Sequence, residues 1–288
     1  MNHIRASSAN ELQIALSRQL MESGVSADPR GMRTLELLGL SFELANPRNR
    51  LTTLPSRKWS PALAIAELAW HVRGDEDVGP LAFYTPRWRE FADENGIVRG
   101  SCYGARIFKA SDGGSAQWVN VRRLLKADPS SRRAVLNFRV NEDVSRESND
   151  VSCTNTLQFI LRDEKLHAFV SMRSNDAIWG VPYDLFLFTS FQELMALELG
   201  VEIGSYHHYA ASMHVYERHF KVARSMADDV AANEGGMPPM TSWESVRMIV
   251  EEEAHLRLQG RPSGAKLDAY AARSLDLLEN HRAFSQAA

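Results

Sequence analysis

The chain has 288 residues, of which 44% are hydrophobic and 24% charged, as is typical of a globular protein with a substantial core. Its net charge of −3 gives no support to a general nucleic-acid or membrane binder, because such proteins usually carry a strong basic excess. No apolar run is long enough to cross a bilayer, and the first residues lack the apolar core of a secretory signal. These features favour a cytoplasmic protein that binds neither DNA nor a membrane.

Two cysteines occur in the chain, Cys102 and Cys153, and both are expected to be free thiols in a reducing cytoplasm. No Cys and His spacing resembles a zinc site. His207 and His208 are adjacent and would point to opposite faces of a strand. We therefore expect no metal.

The first predicted element is an amphipathic helix over residues 8–24, where leucines recur every four residues and Ser8 with Glu11 can form a capping box. Residues 34–44 are apolar and typical of a strand. The next helix opens at Ser60 and Pro61, and Gly74 closes it.

The rest of the chain continues this mixture of helices and strands. In order, the pattern predicts an aromatic loop at 80–104, a helix at 117–126, a strand at 133–140, a hairpin of strands 156–161 and 166–172, a strongly apolar helix at 183–199, a strand at 206–216 leading into a helix to about 232, and two terminal helical stretches.

This order predicts an α+β fold with a mixed β-sheet packed around a long buried helix at 183–199. We expect a single domain over residues 1–288. Its core is expected at about 30–220, and a C-terminal helical extension at about 242–288.

The most specific pattern is a series of short segments that occur in a fixed order. They are IAELAWHVRGD (65–75), SCYGARIF (101–108), SSRRAVLNF (130–138), VSCTNTLQF (151–159), RSNDAIWGVPYD (173–184) and MHVYERH (213–219). Together they resemble the thymidylate synthase family, which includes the pyrimidine-nucleotide hydroxymethylases, over about residues 30–220. The segment 173–184 ends in Asp where the family pattern has Asn.

The resemblance implies a thymidylate synthase-like fold whose sheets form the interface of a homodimer. It also implies a phosphate site, because arginine forks donate paired hydrogen bonds to phosphate. Arg132 and Arg133 are expected to reach the phosphate site of the second subunit, although an exposed arginine pair is more often solvated surface. Arg33 lies close enough to Arg30 to be an alternative to it. The implied phosphate ligands are Arg30, Arg132, Arg133, Arg173 and Ser174.

Cys153 occupies the position of the family's nucleophile, and the resemblance implies that its thiolate adds to C6 of a pyrimidine. A thiolate needs a nearby positive charge, and Arg173 is the expected neighbour. The alternative is that Cys153 is a small buried residue, the usual fate of a free cysteine. Cys102 has no counterpart in the family pattern and is interpreted as structural.

Two further catalytic residues follow from the resemblance. Glu67 lies in an otherwise apolar helix, where an unpaired carboxylate is costly, and the family uses a glutamate here to manage proton transfers through water. Tyr103 is the candidate for assisting removal of the C5 proton.

The resemblance also implies binding residues for 5,10-methylenetetrahydrofolate, the co-substrate, and for the sugar. Asp176 and Trp88 are the expected folate contacts. His214 and Tyr216 are two residues apart and would share one face of a strand, which suits contact with the sugar hydroxyls. Taken alone, the last pair would be surface or core.

The residue at position 184, an Asp, predicts which pyrimidine base is bound. Uracil offers an N3–H donor and an O4 acceptor, which one amide can satisfy, whereas cytosine inverts both groups. A carboxylate can accept from the N4 amino group, and a proton shared with N3 completes the pair. The alternative is an ordinary helix N-cap, since Asp is common at helix starts.

Three departures from the family pattern bear on the product. Thr154 follows the nucleophile where the family has His, Phe91 replaces the second tryptophan near Trp88, and the C-terminal residues do not match the family's apolar tail. A wetter site favours capture of the intermediate by water, which gives a hydroxymethyl group.

The sequence therefore predicts a CMP or dCMP 5-hydroxymethylase. The small Ala177 and a composition rich in Arg and Ala favour CMP and a role in nucleoside antibiotic biosynthesis. The alternatives are a cytidylate methylase, a divergent thymidylate synthase acting on dUMP, a non-catalytic nucleotide-binding homologue, and a nucleic-acid-binding regulator.

Overall fold

The computed structural model of the chain describes residues 3–93, 95–110, 114–145, 147–232 and 236–286, with side chains described up to residue 281. The chain divides into two compact units. Unit 1 contains Met1–Trp59, Cys153–Gln192 and Glu202–Met237, and unit 2 contains Ser60–Ser152, Glu193–Val201 and Pro238–Ala288. That the whole chain acts as one domain stays a prediction.

Strands and helices alternate along both units. They are β1 (His3–Ala6), α1 (Ala9–Ser23), β2 (Val25–Ala27), β3 (Thr34–Leu44), α2 (Pro61–Arg73), α3 (Gly79–Tyr84), α4 (Tyr103–Phe108), α5 (Gln117–Ala127), β4 (Val135–Asn137), β5 (Thr154–Arg162), β6 (Lys165–Met172), β7 (Asn175–Asp176), α6 (Gly180–Leu199), β8 (Glu202–Tyr216), α7 (Phe220–Asp228), α8 (Trp243–Gln259) and α9 (Ala269–Gln286).

Unit 1 contains a mixed sheet in the order β1-β3-β8-β6-β5, with β2 beside β3 and β7 beside β8. β1 pairs with β3 in parallel, β3 is antiparallel to β8, and β6 is parallel to β8. β5 and β6 form the predicted antiparallel hairpin. Its two turn residues, Asp163 and Glu164, have φ values of 50° and 58°, the left-handed conformation that matches strand twist in short hairpins.

The most apolar helix is α6, whose side chains Phe186, Phe188 and Phe191 are fully buried in unit 1. It begins at Gly180, three residues before the predicted start, and ends before Gly200, where φ is 71°. A mixed sheet and a buried helix confirm the α+β prediction.

Unit 2 is built around α2, in which every residue from Ala62 to His71 is buried. The helix starts and stops as predicted: the Ser60 hydroxyl accepts from the Leu63 N–H at 3.2 Å, and Gly74 adopts φ 62°. α8 and α9, the predicted C-terminal extension, pack against α2.

Three local predictions differ from the structure. The predicted loop at 80–104 contains α3, a short 3₁₀ turn at Pro86–Glu90 and the first residues of α4. Proline at each of the first two starts suits a helical first turn, which the aromatic composition concealed.

The predicted strand at 133–140 is limited to β4, because the carbonyl of Phe138 accepts from the Arg106 guanidinium. The predicted capping box of α1 is only half formed. The Ser8 hydroxyl accepts from the Glu11 N–H, but the Glu11 carboxylate accepts from the Ser7 N–H.

Among the described residues, no helix combines the length and apolar character needed to span a membrane. The same residues contain no group of three or more His, Cys, Asp or Glu side chains placed to hold a metal ion.

Candidate active site

Cys153 lies just before β5 in unit 1, half-buried beside Arg173. The Nη2 of Arg173 is 3.6 Å from the Cys153 sulfur, and the Arg173 N–H donates to the Cys153 carbonyl at 2.9 Å. The backbone bond fixes the two residues side by side. The guanidinium therefore lies where it stabilises the thiolate form of the sulfur. The structure brings together the pair that the sequence predicted.

Asp184 is the fifth residue of α6, so the helix N-cap interpretation is wrong. Asp176 lies before the helix, and its Oδ1 accepts from the N–H groups of Ile178 and Trp179, in the turn at 177–179, at 2.8 and 3.1 Å. Asp184 has a different partner. Its side chain points to Asn175, whose Nδ2 donates to Asp184 Oδ2 at 2.7 Å.

Burial raises the pKa of Asp184 from 3.8 to about 7, with the charge of Asp176 acting in the same direction and the Asn175 hydrogen bond opposing both. A carboxyl with this pKa exchanges its proton near neutral pH, which suits a group that must share a proton with a ligand. Burial also raises the pKa of Tyr206, with the charge of Asp184 as a second cause. The site is therefore apolar enough to penalise charge.

The pairing of β7 with β8 places Asp176 opposite His214. His214 is 8% exposed, and burial lowers its pKa while Asp176 opposes the shift. The rings of His214 and Tyr216 meet edge to face with centroids 5.0 Å apart, so they share one face as predicted.

Arg57 lies near the same turn of unit 1, buried to 6% exposure. Its Nε donates to the Ile178 carbonyl at 2.7 Å, and its guanidinium lies 5.0 Å from the ring centroid of Trp179. Burial lowers the pKa of Arg57, with Tyr183 and Asp176 opposing. Arg57 thus places a cation close to Asp176.

Arg30 and Arg33 were alternatives for one phosphate contact. Arg33 donates to the Glu217 carboxylate at 2.9 Å. Arg30 is exposed and has no hydrogen-bond or ion-pair partner among the described residues, and its backbone has φ 56° and ψ 35°. The free guanidinium favours Arg30 as the phosphate ligand. Ser174 is half-buried between Arg173 and Asn175.

In unit 2, Glu67 is 8% exposed on α2 and accepts from the Trp88 Nε1–H at 3.2 Å. The Trp88 ring packs against Trp70 and Phe91, with centroids 5.8 Å apart in both cases. The indole that was predicted to contact folate therefore also orients the predicted proton-transfer carboxylate.

Tyr103 begins α4 and stacks on His71 of α2, with centroids 5.4 Å apart and an interplanar angle of 4°. The close approach of the two helices requires Gly104, because a Cβ there would lie 1.5 Å from the His71 carbonyl oxygen. Burial lowers the pKa of His71 to about 3, so the imidazole beside Tyr103 is neutral at physiological pH.

Arg132 and Arg133 are both exposed in unit 2, and their expected role at a second subunit stays a prediction. Cys102 is buried, and its thiol points to the Asp75 carbonyl at 3.6 Å. Burial raises the pKa of Cys102 to about 12, which keeps it as the unreactive thiol. Within the described residues, neither Cys102 nor Cys153 forms a disulfide.

Sequence reasoning missed Asn175, Arg57 and His71. Asn175 lies inside the predicted motif but was not assigned a role, although a polar residue between Ser174 and Asp176 at a strand end was a usable signal. His71 lies in the apolar helix α2, where a polar residue was a usable signal. Arg57 gave no signal beyond its charge.

A thymidylate synthase family model matches residues 13–238, and the chain belongs to the thymidylate synthase family. This confirms the resemblance of the ordered motifs.

Two curated relatives refine the comparison. Over 212 residues the chain is 35% identical to the deoxyuridylate hydroxymethyltransferase of Bacillus phage SP01, which covers 70% of this chain and 55% of that protein. Over 222 residues it is 28% identical to the deoxycytidylate 5-hydroxymethyltransferase of Enterobacteria phage T4, which covers 73% of this chain and 87% of that protein. The chain thus spans only about half the length of the SP01 relative.

Proposed function

We propose that the protein transfers a one-carbon unit from 5,10-methylenetetrahydrofolate to C5 of a cytosine nucleotide, CMP or dCMP, and that water completes a 5-hydroxymethyl product. The observation that carries the choice of base is Asp184, a carboxyl with a pKa near 7 at the position where the family pattern has Asn. The net change in the nucleotide is the addition of CH₂O. The folate leaves as tetrahydrofolate, because no hydride is removed from it.

Cys153 is the proposed nucleophile. Its thiolate adds to C6 of the ring, which makes C5 nucleophilic, and the sulfur leaves again when the product forms. Arg173 supports this role because its guanidinium is 3.6 Å from the sulfur. Glu67 is proposed to relay protons through water and Tyr103 to assist loss of the C5 proton.

Asp184 is proposed to read the base through two hydrogen bonds. One carboxyl oxygen accepts from the N4 amino group of cytosine, and the proton on the other is shared with N3. Protonation at N3 withdraws electrons from the ring, so the same contact promotes attack at C6. An ionised Asp184 facing uracil would place a carboxylate oxygen, an acceptor, against O4, which is also an acceptor. This mismatch costs about 1–3 kcal/mol.

The residues proposed to hold folate are Asp176 and Trp88. The Oδ1 of Asp176 accepts from two backbone N–H groups in the turn before α6, and Oδ2 makes no hydrogen bond within the described part of the chain, so it can accept from a ring N–H. Trp88 is half-buried and offers an aromatic face. Each group by itself suits contact with a flat, hydrogen-bonding ring. When bound, the co-substrate supplies carbon at the oxidation level of formaldehyde.

Hydroxymethylation rather than methylation is supported by two kinds of observation. The relatives from phages SP01 and T4 are both hydroxymethyltransferases by name. Thr154 and Phe91 also replace bulkier or more basic family residues, which leaves more room for water. No such observation supports a binding-only role, since the Cys153–Arg173 and Glu67–Trp88 pairs are both formed.

A uracil nucleotide is the second candidate, because the SP01 relative with the higher identity is a deoxyuridylate enzyme by name. Both named substrates are deoxyribonucleotides, whereas the small, buried Ala177 supports a ribonucleotide. Base and sugar are therefore both variables of the assay.

The phosphate site is proposed to contain Arg30, Arg173 and Ser174, completed by Arg132 and Arg133 from the other subunit of a homodimer. Mixing inactive Cys153→Ser and Arg133→Ala proteins tests this directly. Hybrid dimers with one intact site are expected to regain up to about a quarter of wild-type activity if each arginine serves its neighbour. No recovery in a verified dimer would contradict the shared site.

The assay of the proposed function uses the purified protein, 5,10-methylenetetrahydrofolate and each of CMP, dCMP, UMP and dUMP. We expect a product heavier by CH₂O from a cytosine nucleotide, without the absorbance of dihydrofolate. Cys153→Ser is expected to lose at least about 10⁴-fold in rate, because the covalent route is removed.

Asp184→Asn is the matched control for the base. It restores the family's amide and is expected to shift preference toward uracil by about 10- to 100-fold. Dihydrofolate release would make the protein a methylase. Faster turnover of uracil nucleotides by the wild-type protein would contradict the cytosine proposal.

A further inference from the structure

Asn175 is buried to 3% exposure in β7, and the Nδ2 side of its amide faces Asp184. Nδ2 donates to Asp184 Oδ2 at 2.7 Å, while Oδ1 of the amide is buried without a hydrogen-bond partner. In the described structure, Asn175 is the side chain that hydrogen-bonds Asp184, and Asp184 Oδ1 has no partner. The two carboxyl oxygens therefore have different environments.

That difference has a chemical consequence for a carboxyl that carries a proton. An oxygen that accepts from an amide N–H is favoured as the carbonyl-type oxygen, so the proton belongs on the other one. Asn175 thereby assigns the acid hydrogen to Oδ1 and keeps Oδ2 as an acceptor with one lone pair still free.

The position of the proton decides which base a neutral carboxyl can pair with. An acid group can donate to N3 and accept from N4 of cytosine. With its hydrogen moved to the other oxygen, the same group can accept from N3–H and donate to O4 of uracil. Substituting Asp for Asn at position 184 does not by itself exclude uracil, because the two patterns differ only in which oxygen carries the hydrogen.

We propose that Asn175 is a positioning residue for base recognition: its amide holds the carboxyl of Asp184 in one hydrogen-bonding polarity and so makes the Asn175–Asp184 pair selective for one base. The inference rests on the proposed role of Asp184 in reading a cytosine nucleotide.

Gly180 supplies independent support for the pair. A Cβ at position 180 would lie 2.7 Å from Asn175 Nδ2 and 3.3 Å from Asp184 Oδ2. The first helical residue of α6 thus leaves the space in which the amide reaches the carboxyl. A side chain there must displace the short, buried Asn175 side chain.

The test measures binding of CMP, dCMP, UMP and dUMP by calorimetry between pH 6 and 9, in the absence of folate. Asn175→Leu removes the donor at nearly constant volume, and we expect the cytosine-to-uracil affinity ratio to fall about tenfold. The pH at which cytosine affinity declines is expected to rise, because the hydrogen bond that lowers the pKa of Asp184 is gone.

Gln192→Leu is the matched control. Gln192 is a fully buried amide in the same unit, and its Nε2 donates to the Leu166 carbonyl at 2.8 Å. It is expected to lower thermal stability without changing the affinity ratio or the pH dependence. A merely structural role for Asn175 would make both variants behave alike.

The outcomes distinguish failure of the cytosine proposal from failure of the proposed role of Asn175. A wild-type protein that prefers uracil overturns the cytosine proposal and this inference with it. A wild type that prefers cytosine while Asn175→Leu keeps the same ratio and pH dependence overturns the role of Asn175 alone. If Asn175→Leu does not fold, Gly180→Ala decides, because it keeps both polar groups and is expected to lower the ratio; an unchanged ratio rejects the pair.

Discussion

Two carboxylates, one in each unit, have opposite surroundings. Glu253 on α8 is fully buried and accepts from Arg73 at 2.9 Å, from Arg257 at 2.8 Å and from the Tyr84 hydroxyl at 3.2 Å. Asp184 on α6 has one neutral partner, Asn175, and a pKa raised to about 7. The first carboxylate is compensated by charge within the fold, and the second is not.

The difference indicates that Glu253 stabilises the fold, whereas Asp184 is suited to bind a ligand. Buried charges need partners, and Glu253 has two cations, Arg73 of α2 and Arg257 of α8 itself. Because Asp184 has one neutral amide as its partner, its ionisation lowers the stability of the folded protein. A ligand that shares its proton would relieve that cost, which is consistent with a binding role.

Removing Glu253 should produce the largest effect on stability. Glu253→Ala leaves Arg73 and Arg257 without their carboxylate in a buried site, and the free energy of unfolding is expected to fall by about 3–5 kcal/mol. Chemical denaturation measures this loss. Glu251→Ala, an exposed change on the same helix, is the control and should have almost no effect. Equal stability of both variants would contradict the stabilising role of Glu253.

Asp184→Asn should act in the opposite direction on stability. The pKa of Asp184 is about 7 in the folded protein against an ordinary 3.8. Its contribution to stability is therefore fully present below pH 3.8 and is lost as the pH rises through about 7. The variant lacks this loss and should be more stable than wild type at pH 8, by at most about 4 kcal/mol. Thermal unfolding at pH 5 and pH 8 checks the sign; a wild-type advantage that grows with pH would refute it.

The affinity for cytosine nucleotides should follow the same titration. Below pH 7 Asp184 carries the proton that N3 of cytosine requires, and above it the free protein must bind a proton with the ligand. Affinity is expected to fall about tenfold per pH unit above pH 7. Titration calorimetry in two buffers of different ionisation enthalpy would detect the uptake. An affinity that stays constant to pH 9 would contradict binding through a protonated Asp184.

The smallest effect is expected where a carboxylate pairs at the surface. The side chains of Arg33 and Glu217 are 60% and 55% exposed, and their 2.9 Å ion pair is screened by water. Arg33→Ala should change the free energy of unfolding by less than about 1 kcal/mol. A loss comparable with that of Glu253→Ala would mean that exposure does not govern these pairs.

Ordered motifs were sufficient to predict the family and the proximity of Cys153 and Arg173, and the apolar run at 183–199 predicted the buried helix α6. Local patterns also placed α2 correctly, because its first and last residues carry the cap signals in the sequence. These features depend on neighbours along the chain or on a complete motif.

The missing parts depend on contacts that no local pattern encodes. The bond from Asn175 to Asp184 joins the end of β7 to α6, which begins at Gly180, earlier than predicted. The pairing of Arg73 with Glu253 joins residues 180 positions apart. Neither the early start nor the distant pair could be obtained from hydrophobic periodicity.

The backbone of Arg30 has a further consequence for how this protein can change. Its left-handed conformation, followed by Gly31 at φ 73°, costs a non-glycine residue about 1–2 kcal/mol. Directed evolution for thermal resistance alone is therefore expected to replace Arg30 with glycine, whereas selection for turnover is expected to retain it for its proposed phosphate contact. Populations evolved under the two selections would differ at position 30, and the more heat-resistant one is expected to be the poorer catalyst.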